Sequence, residues 1–349
     1  MEIEFTVKLI EWYHSNKRNL PWRNTTNPYF IWISEIILQQ TRVAQGISYY
    51  HKFIQSLPTI KDLADASEKD VLKLWQGLGY YSRARNLHYT SKYIMNIYNG
   101  KFPDNYNDIL ELRGIGPYTA AAISSIAFGL PYAVVDGNVI RVLSRIFNID
   151  IPYDTSLGKK IFSQKAQELL LRSDPSSYNQ ALMEFGALQC KPKSPNCSIC
   201  IFQNDCIAFQ QNNIDALPVK IKTLKHKKRY LHFLVIKHKE SIFFEKRIQG
   251  IWKGLYEFPF IELSEKKDDN QVLYLIHNHV IFKSKKIFVS DVSKEYIHLL
   301  THQKIYAKFW MIDASELIIP KHKLILQKDL LNYPVSKLIE KYLYANKLH

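Results

Sequence analysis

Two acidic residues have sequence surroundings that favour opposite protonation states. Glu35 lies within the mainly apolar stretch 28–41, so desolvation is expected to keep its carboxyl protonated near neutral pH. Asp136 directly precedes an amphipathic helix pattern, where free amides and the helix dipole favour its ionised form. Each also has an ordinary interpretation, because Glu35 could extend to solvent and Asp136 could be a simple helix cap. If the fold brings them together, they predict a general acid with an anionic partner.

All cysteines of the chain are clustered, in the spacing Cys-x6-Cys-x2-Cys-x5-Cys. They are Cys190, Cys197, Cys200 and Cys206. In a reducing compartment, clustered thiolates indicate a metal rather than disulfides. This spacing leaves both an iron–sulfur cluster and zinc open. Lys191 and Lys193 in the first loop are candidate phosphate contacts.

A glycine-rich turn between two predicted helices is a second candidate for phosphate binding. The first helix ends near Arg113, Gly114 and Gly116 permit a tight hairpin, and an alanine-rich helix begins at Pro117. Glycines let the backbone approach a phosphate, and a helix N-terminus directs free amides at it. This is a helix-hairpin-helix pattern, although the Gly-x-Gly element alone is weakly specific.

Aromatic residues alternate with arginines in two further segments. Arg18, Trp22 and Arg23 surround Pro21, close in sequence to the Glu35 helix. The segment 76–85 has two glycines, two tyrosines that include Tyr80, and two arginines. Rings can stack or wedge between bases while guanidiniums contact phosphates, but buried core tyrosines are an equally ordinary outcome.

These segments are positioned by predicted helices up to residue 189 and by strands after about 230. Predicted helices lie at 28–41, 43–57, 67–75, 106–113, from 117, from 137, and near 156–171 and 179–189. Strands are predicted at 231–237 and 241–247, and 303–311 alternates with period two; helices are expected near 272–276 and 334–344. Residues 215–229 carry many lysines and are predicted to be a linker.

Composition fits a nucleic-acid-binding protein of two or more domains. The 349 residues carry a formal net charge of +15, which indicates a polyanionic partner but does not separate DNA from RNA or an acidic membrane. Apolar runs are too short for a membrane span, and the N-terminus lacks a secretory signal pattern. We therefore expect a cytoplasmic protein.

Taken together, these motifs resemble the helix-hairpin-helix DNA glycosylases, and most closely the MutY-type adenine glycosylases. The resemblance covers Leu-Pro-Trp at 20–22, Trp-Ile-Ser-Glu with Leu-Gln-Gln-Thr at 32–41, Gly-Leu-Gly-Tyr-Tyr from 77, the hairpin, Asp-Gly-Asn-Val at 136–139 and the cysteine spacing. Gly-Ile-Trp-Lys-Gly-Leu-Tyr-Glu-Phe-Pro at 250–259 resembles the C-terminal domain of that family. The resemblance implies that the four cysteines hold a structural 4Fe-4S cluster.

The fold implied by the resemblance is multidomain, with an all-α helix-hairpin-helix glycosylase core, an iron–sulfur lobe and a C-terminal α+β Nudix-like domain. The corresponding boundaries are 28–130 for a six-helix barrel, 1–27 with 131–215 for the iron–sulfur lobe, 216–229 for a basic linker, and 230–349 for the Nudix-like lesion-recognition domain.

The resemblance also implies roles for individual residues. Glu35 would protonate the departing adenine, Asp136 would support the sugar cation or capture it, and Tyr118 and Asn138 would orient the site. The other implied DNA contacts are Gln40 and Tyr80 in the base stack, Arg18, Trp22 and Arg23 in the adenine pocket, and Thr301 and His302 at the 8-oxoguanine. Leu300 replaces the phenylalanine found before those two positions in many relatives.

The implied function is hydrolysis of the N-glycosidic bond of adenine mispaired with 8-oxoguanine or G in double-stranded DNA. Endonuclease III-like relatives carry a lysine at the position of Tyr118, which cannot form a Schiff base, so strand cleavage is not expected. A glutamate-rich Nudix metal helix is not found, so pyrophosphohydrolase activity is not expected. The alternatives are a bifunctional pyrimidine-lesion glycosylase/lyase and a non-catalytic iron–sulfur DNA-binding regulator. We expect a monomer.

Overall fold

The computed structural model describes residues 2–221, 227–282, 287–313 and 323–348, which form two compact units. Met1–Asp65 with Asn86–Lys222 makes up the helical unit, and Ala66–Arg85 with Thr223–His349 makes up the C-terminal unit. In the described ranges, no helix has both the length and the apolar character needed to cross a membrane.

Several helices begin after a residue whose side chain caps the first turn. Their bounds are α1 Glu2–Asn16, α2 Pro28–Leu38, α3 Val43–Ser56, α4 Ile60–Asp65, α5 Glu68–Leu74, α6 Ser82–Ile97, α7 Tyr106–Glu111, α8 Pro117–Phe128, α9 Gly137–Ile146, α10 Ser156–Glu168, α11 Pro175–Leu188, α12 Ile207–Gln210, α13 Asp269–His277 and α14 Lys337–Ala345. Asn27 caps α2 through a 2.9 Å bond from the Tyr29 amide, and Ser67 caps α5. These side chains satisfy amides that lack partners in the first turn.

In the helical unit, α1, α9 and α11 share one apolar core. Phe5 and Leu9 of α1 pack with Val142 of α9 and with Leu182 and Phe185 of α11. The amphipathic pattern predicted after Asp136 therefore fixes α9 against two helices that are distant in sequence.

The C-terminal unit is built on a mixed sheet. Its strands are β1 Lys227–His238, β2 Ser241–Phe243, β3 Glu245–Lys246, β4 Tyr256–Glu257, β5 Phe260–Leu263, β6 Phe288–Val292, β7 Tyr296–Leu300, β8 Gln303–Asp313 and β9 Leu324–Leu326. The strand order is β6-β8-β1-β2-β9, with β5 paired to β1 and β7 to β8, while β3 and β4 form a separate ladder. The long strands β1 and β8 are parallel, with Lys227 opposite Gln303.

Helices cover both faces of this sheet. Ile305, Ala307 and Phe309 are buried as their period of two predicts, and Phe309 stacks on Tyr342 of α14 at a centroid distance of 3.8 Å. Trp310 is also fully buried, because α13 packs on the opposite face. The period of two thus located the strand but could not show that its second face is covered.

The segment predicted as a linker, 216–229, is divided between the two units. Leu217 is buried in the helical core, and the Tyr153 amide donates to the Val219 carbonyl at 3.2 Å. Lys227 to Arg229 are already part of β1, and 222–226 lie outside the described residues. In its described parts, this segment is packed chain rather than free linker.

Residues 66–85, predicted within the barrel 28–130, pack instead with the C-terminal unit. Gln76 Nε2 donates to Glu340 Oε1 at 2.7 Å, and Lys73 Nζ donates to the Leu331 carbonyl at 2.5 Å. Glu68 accepts a salt bridge from Lys246 at 2.8 Å. These contacts join positions far apart in sequence, so local patterns could not reveal them.

Candidate active site

Glu35 is a buried carboxyl whose second oxygen lacks a partner. It lies on α2 with 6% of its surface exposed, and Oε2 has no hydrogen-bond partner among the described residues. Burial raises the pKa of Glu35 to about 7; a hydrogen bond with Tyr118 opposes the rise and the Asp136 charge adds to it. Glu35 therefore retains a proton in a substantial fraction of molecules at neutral pH.

Asp136 caps α9 and accepts three hydrogen bonds. Its Oδ1 accepts from the Asn138 amide at 2.8 Å and the Val139 amide at 2.7 Å, while Oδ2 accepts from Asn138 Nδ2 at 2.7 Å. The amides favour the ionised form of Asp136, as the sequence predicts, but burial outweighs them and raises the pKa of its carboxyl. The three donors still favour the anion of Asp136 over that of Glu35 Oε2, which has none.

The two carboxyl groups line one cavity of about 240 Å³ in the helical unit. Tyr118 of α8 and Asn138 of α9 line it too, and the Tyr118 hydroxyl lies 3.7 Å from Met183 Sδ. The structure thus brings together the four residues singled out for catalysis, although their roles remain predictions.

Arg18, Trp22 and Arg23 form another wall of this cavity. The two arginines are held by a glutamate that could not be identified from the sequence. Glu184 of α11 is 1% exposed, and its Oε2 accepts from Arg18 Nη2 at 2.6 Å and from Arg23 Nη2 at 2.8 Å. Burial alone would raise the pKa of Glu184, but the two arginines lower it to about 2. The available signal was a glutamate inside an apolar helix stretch, as for Glu35.

The hairpin between α7 and α8 presents glycine backbone at a position open to a ligand. Gly114 has a φ of +87°, and a Cβ there would lie 2.7 Å from Asn86 Cβ. At Gly116 a Cβ would contact no heavy atom within 4 Å. Gly114 therefore shapes the turn, while Gly116 leaves its backbone accessible.

Two regions of the chain match known family models. Residues 33–167 match the HhH-GPD superfamily of base excision DNA repair proteins, and residues 231–345 match the NUDIX domain. Two proteins named adenine DNA glycosylase, from Buchnera aphidicola subsp. Baizongia pistaciae and subsp. Acyrthosiphon pisum, are 37% and 34% identical. The alignments cover 99% of this chain and 98% of the first relative, and 97% of both chains for the second.

The chain belongs to the adenine DNA glycosylase family. A solved thermostable thymine-DNA glycosylase is also similar, with a TM-score of 0.57 and 29% identity over 60% of this chain and 97% of that one. The predicted fold class, a helix-hairpin-helix core followed by a Nudix-like domain, is confirmed.

In this family member, the four cysteines line one small cavity beside α9 and α11. Arg145 is 1% exposed and donates from Nη1 to Cys190 Sγ at 3.5 Å and to the Lys191 carbonyl at 2.7 Å. Within the described ranges, no three His, Cys, Asp or Glu side chains are arranged to hold a single metal ion. Lys191 and Lys193 are exposed on the same loop.

A second arginine, also missed from the sequence, links this loop to Asp136. Arg141 Nε donates to the Cys190 carbonyl at 2.8 Å, and its Nη2 donates to Asn138 Oδ1 at 2.8 Å. Asn138 in turn donates to Asp136, so the cysteine loop and the cavity that Glu35 and Asp136 line share one hydrogen-bonded support.

The remaining predicted DNA contacts lie outside the Glu35 cavity. Tyr80, Thr301 and His302 line a cavity of about 480 Å³ in the C-terminal unit, where the Tyr80 hydroxyl is hydrogen-bonded to Thr301 Oγ1. Gln40 and Tyr80 have positive φ angles of 59° and 44°. Strained backbone at two candidate wedge residues is typical of functional positions.

Proposed function

We propose that this protein excises adenine from double-stranded DNA by hydrolysing the N-glycosidic bond, with adenine opposite 8-oxoguanine or G as its substrate. The observation that carries the proposal is the unpartnered Oε2 of Glu35, buried in the same cavity as Asp136. An acid that keeps its proton and lacks a protein partner is available to protonate a base.

The reaction requires an adenine to leave the base stack and enter the cavity, which costs a few kcal/mol. Glu35 donates its proton to a ring nitrogen of the base while the bond to the sugar breaks and its electron pair stays with the adenine. Asp136, held by Asn138 and Val139, supports the resulting oxocarbenium ion. Water then adds to the sugar carbon, and the proton it releases restores the Glu35 carboxyl.

Strand cleavage through a Schiff base is not part of this proposal. The residue at the lysine position of bifunctional relatives is Tyr118, whose phenol cannot form an imine. Burial holds the pKa of Tyr118 well above its ordinary value, so its hydroxyl stays protonated beside Glu35.

Recognition of the opposite 8-oxoguanine is assigned to the cavity of the C-terminal unit. Tyr80 and Thr301 are hydrogen-bonded to each other there, and Leu300 supplies apolar surface where an aromatic ring is common in relatives. The Thr301 hydroxyl and the His302 imidazole are the groups that would hydrogen-bond to the lesion. Replacing Thr301 with Ala should reduce excision opposite 8-oxoguanine more than excision opposite G.

The cysteine cavity fits a 4Fe-4S cluster, with Cys190, Cys197, Cys200 and Cys206 as ligands. Four thiolates form the ligand set of such a cluster, and Arg145 beside Cys190 offers a compensating cation. The cluster would stabilise the loop that carries Lys191 and Lys193, and no step of the hydrolysis requires it. Iron content and brown colour in anaerobically purified protein test this assignment; zinc without iron would contradict it.

The decisive experiment is a single-turnover excision assay on duplexes that place adenine opposite 8-oxoguanine, G or T, with and without alkali. We expect excision opposite 8-oxoguanine and G, with strand breaks only after alkali. The matched control is Glu35→Gln, which should bind the duplex yet lose excision by several orders of magnitude. Unchanged excision by this variant would remove Glu35 from the mechanism.

A further inference from the structure

His232 is a buried imidazole with one N–H donor left free. It lies on β1 with 7% of its surface exposed, and its Nδ1 accepts from Trp310 Nε1 at 3.2 Å. An indole nitrogen can only donate, so Nδ1 is the unprotonated ring nitrogen of His232 and Nε2 carries the hydrogen. Within the described ranges, no acceptor is bonded to Nε2. This N–H is therefore available to a ligand that accepts hydrogen bonds.

His232 lines a cavity of about 290 Å³ on the sheet face that α13 partly covers. Alternate side chains of a strand share a face, so Tyr230, His232 and Leu234 of β1 all lie on this one. Leu234 is fully buried in the core under α13, whereas Tyr230 is partly exposed, so the cavity opens where the helix ends its cover. Its lining residues are separate from those of the Glu35 cavity and of the Tyr80 cavity.

Lysines border this cavity on two opposite sides. Lys266 and Lys267 follow β5, which pairs with β1, while Lys294 lies between β6 and β7, which pair with β8. Lys308 of β8 also lines the cavity, and Glu295 is the acidic residue in the lining set. The wall of the cavity therefore carries an excess of positive charge, which favours an anionic ligand.

The acidic partners of these lysines leave ammonium hydrogens free. Lys266 Nζ lies 3.4 Å from Glu295 Oε2. Lys267 Nζ lies 3.7 Å from Glu265 Oε1, and both separations exceed an ordinary N–H···O bond. Lys294 is exposed and has no ion pair among the described residues. Exposed ion pairs of this kind contribute little to stability, so an anion that enters the cavity can displace them.

The imidazole supplies a donor without adding a charge. Burial lowers the pKa of His232 to about 4, and the Lys308 charge adds to this effect. Asp269, which holds Lys308 at 2.6 Å, and Glu295 oppose it. At neutral pH the cavity therefore presents a neutral N–H from the sheet and ammonium groups on both sides. This arrangement matches a tetrahedral oxyanion, whose oxygens point in several directions, better than a planar carboxylate.

We propose that this cavity binds a phosphate group, with one oxygen accepting from His232 Nε2 and the others from the ammonium groups of Lys266 and Lys294. A cavity of this size suits a small ligand rather than a duplex. The two sources of such a group are the free phosphate ion and a phosphate ester, and both present the same oxygens. The proposal concerns binding alone and does not depend on the glycosylase function.

The test is calorimetric titration of the full chain, without DNA, with inorganic phosphate at constant ionic strength. We expect saturable binding, and Lys294→Gln should weaken it about fivefold because one cation next to the ion is removed. Lys328→Gln is the matched control, since Lys328 is exposed, lies outside this cavity and loses the same charge. The proposal fails if phosphate does not bind, or if the Lys294 and Lys328 variants bind it with equal affinity.

A spectroscopic measurement locates the bound ion at the imidazole. In NMR of the chain with isotopically labelled histidine, added phosphate should shift the His232 Nε2–H signal and slow its exchange with water. His232→Phe assigns that signal and should weaken binding at least as much as Lys294→Gln, with thermal unfolding as the check on its fold. A His232 signal that does not respond to saturating phosphate would place the ion elsewhere and overturn the assignment.

Two further titrations define the ligand. Methyl phosphate separates the two sources: affinity equal to that of inorganic phosphate supports a site open to phosphate esters, and binding of inorganic phosphate alone supports a site for the free ion. Acetate at the same ionic strength should bind much more weakly than phosphate, because its two oxygens lie in one plane. Acetate binding as tight as that of phosphate would overturn the choice of a tetrahedral oxyanion.

Discussion

Glu35 and Glu184 line the same cavity, and both are buried, yet their proton affinities differ widely. Burial raises the pKa of Glu35 to about 7, whereas the guanidiniums of Arg18 and Arg23 outweigh burial and lower that of Glu184 to about 2. The difference comes from partners, because Glu184 accepts from two cations while Glu35 Oε2 accepts from nothing in the described chain. One carboxyl can thus serve as an acid and the other as a fixed anion.

The raised pKa of Glu35 predicts how excision depends on pH. A general acid works only while protonated, so the single-turnover rate should be constant below about pH 7 and fall about tenfold per pH unit above it. Quenched-flow measurement on a duplex with adenine opposite 8-oxoguanine gives this profile, with binding saturated at every pH. A rate that rises through pH 7 would identify Glu35 as a base rather than an acid.

The lowered pKa of Glu184 predicts that its contribution to the free energy of unfolding depends on pH. Because the folded-state pKa lies below the ordinary value of 4.5, the contribution is complete above that pH and is lost as pH falls towards about 2. Glu184→Gln should lower the free energy of unfolding by about 2–4 kcal/mol at pH 7, since it leaves Arg18 and Arg23 without their anion.

Urea unfolding at pH 7 and at pH 3 measures this effect. The loss of unfolding free energy in Glu184→Gln should be smaller at pH 3 than at pH 7. At pH 3 the parent protein itself no longer has the full stabilisation from Glu184. Asp65→Asn is the control, since Asp65 pairs with Lys61 at an exposed site and should cost less than about 1 kcal/mol. If Glu184→Gln and Asp65→Asn lowered the free energy of unfolding equally, the buried Glu184 ion pairs would contribute no more to stability than an exposed pair.

At the scale of elements, the sequence predicts correctly those features that depend on residues close to each other in the chain. Asp136 caps α9 where the sequence places it, and Asn27 and Ser67 cap α2 and α5 by the same local rule. Each of these depends on neighbours within a few residues. Glu184 was missed because its effect depends on Arg18 and Arg23, more than 150 positions earlier in the chain. The apolar sequence around Glu184 is typical of a buried position but carries no information about its partners.

Substitutions at the two hairpin glycines should have different effects, one on stability and the other on DNA binding. Gly114→Ala combines a φ of +87° with a 2.7 Å approach to Asn86, so it should lower the free energy of unfolding by about 1–3 kcal/mol. Gly116→Ala, with open space around the new methyl group, should leave unfolding nearly unchanged but weaken duplex binding. Thermal unfolding and fluorescence anisotropy on an undamaged duplex measure the two effects. Equal loss of stability in both variants would contradict the distinction.

At the scale of the whole molecule, each compact unit combines segments that are far apart in the sequence. Tyr80 belongs to a segment that precedes the hairpin, yet 66–85 packs within the C-terminal unit beside Thr301. Family motifs located Tyr80 and Thr301 separately, and the match to a Nudix-like domain begins only at residue 231. Tertiary contacts place Tyr80 and Thr301 in the same unit, and neither the composition nor the periodicity of their two segments predicts those contacts.

This grouping predicts the consequence of removing the C-terminal residues. In a chain truncated after Ile221, α5 would lose the Lys246 salt bridge to Glu68, and Gln76 and Arg85 would lose their bonds to Glu340 and to the Lys253 carbonyl. Hydrogen exchange should therefore become much faster in 66–85 while α2 and α9, inside the helical unit, stay protected. Full-length Glu340→Ala is the milder counterpart and should accelerate exchange only around Gln76. If α5 remained as protected in the truncated chain as in the parent, the segment would not depend on the C-terminal unit for its order, and Tyr80 would be positioned by the helical unit instead.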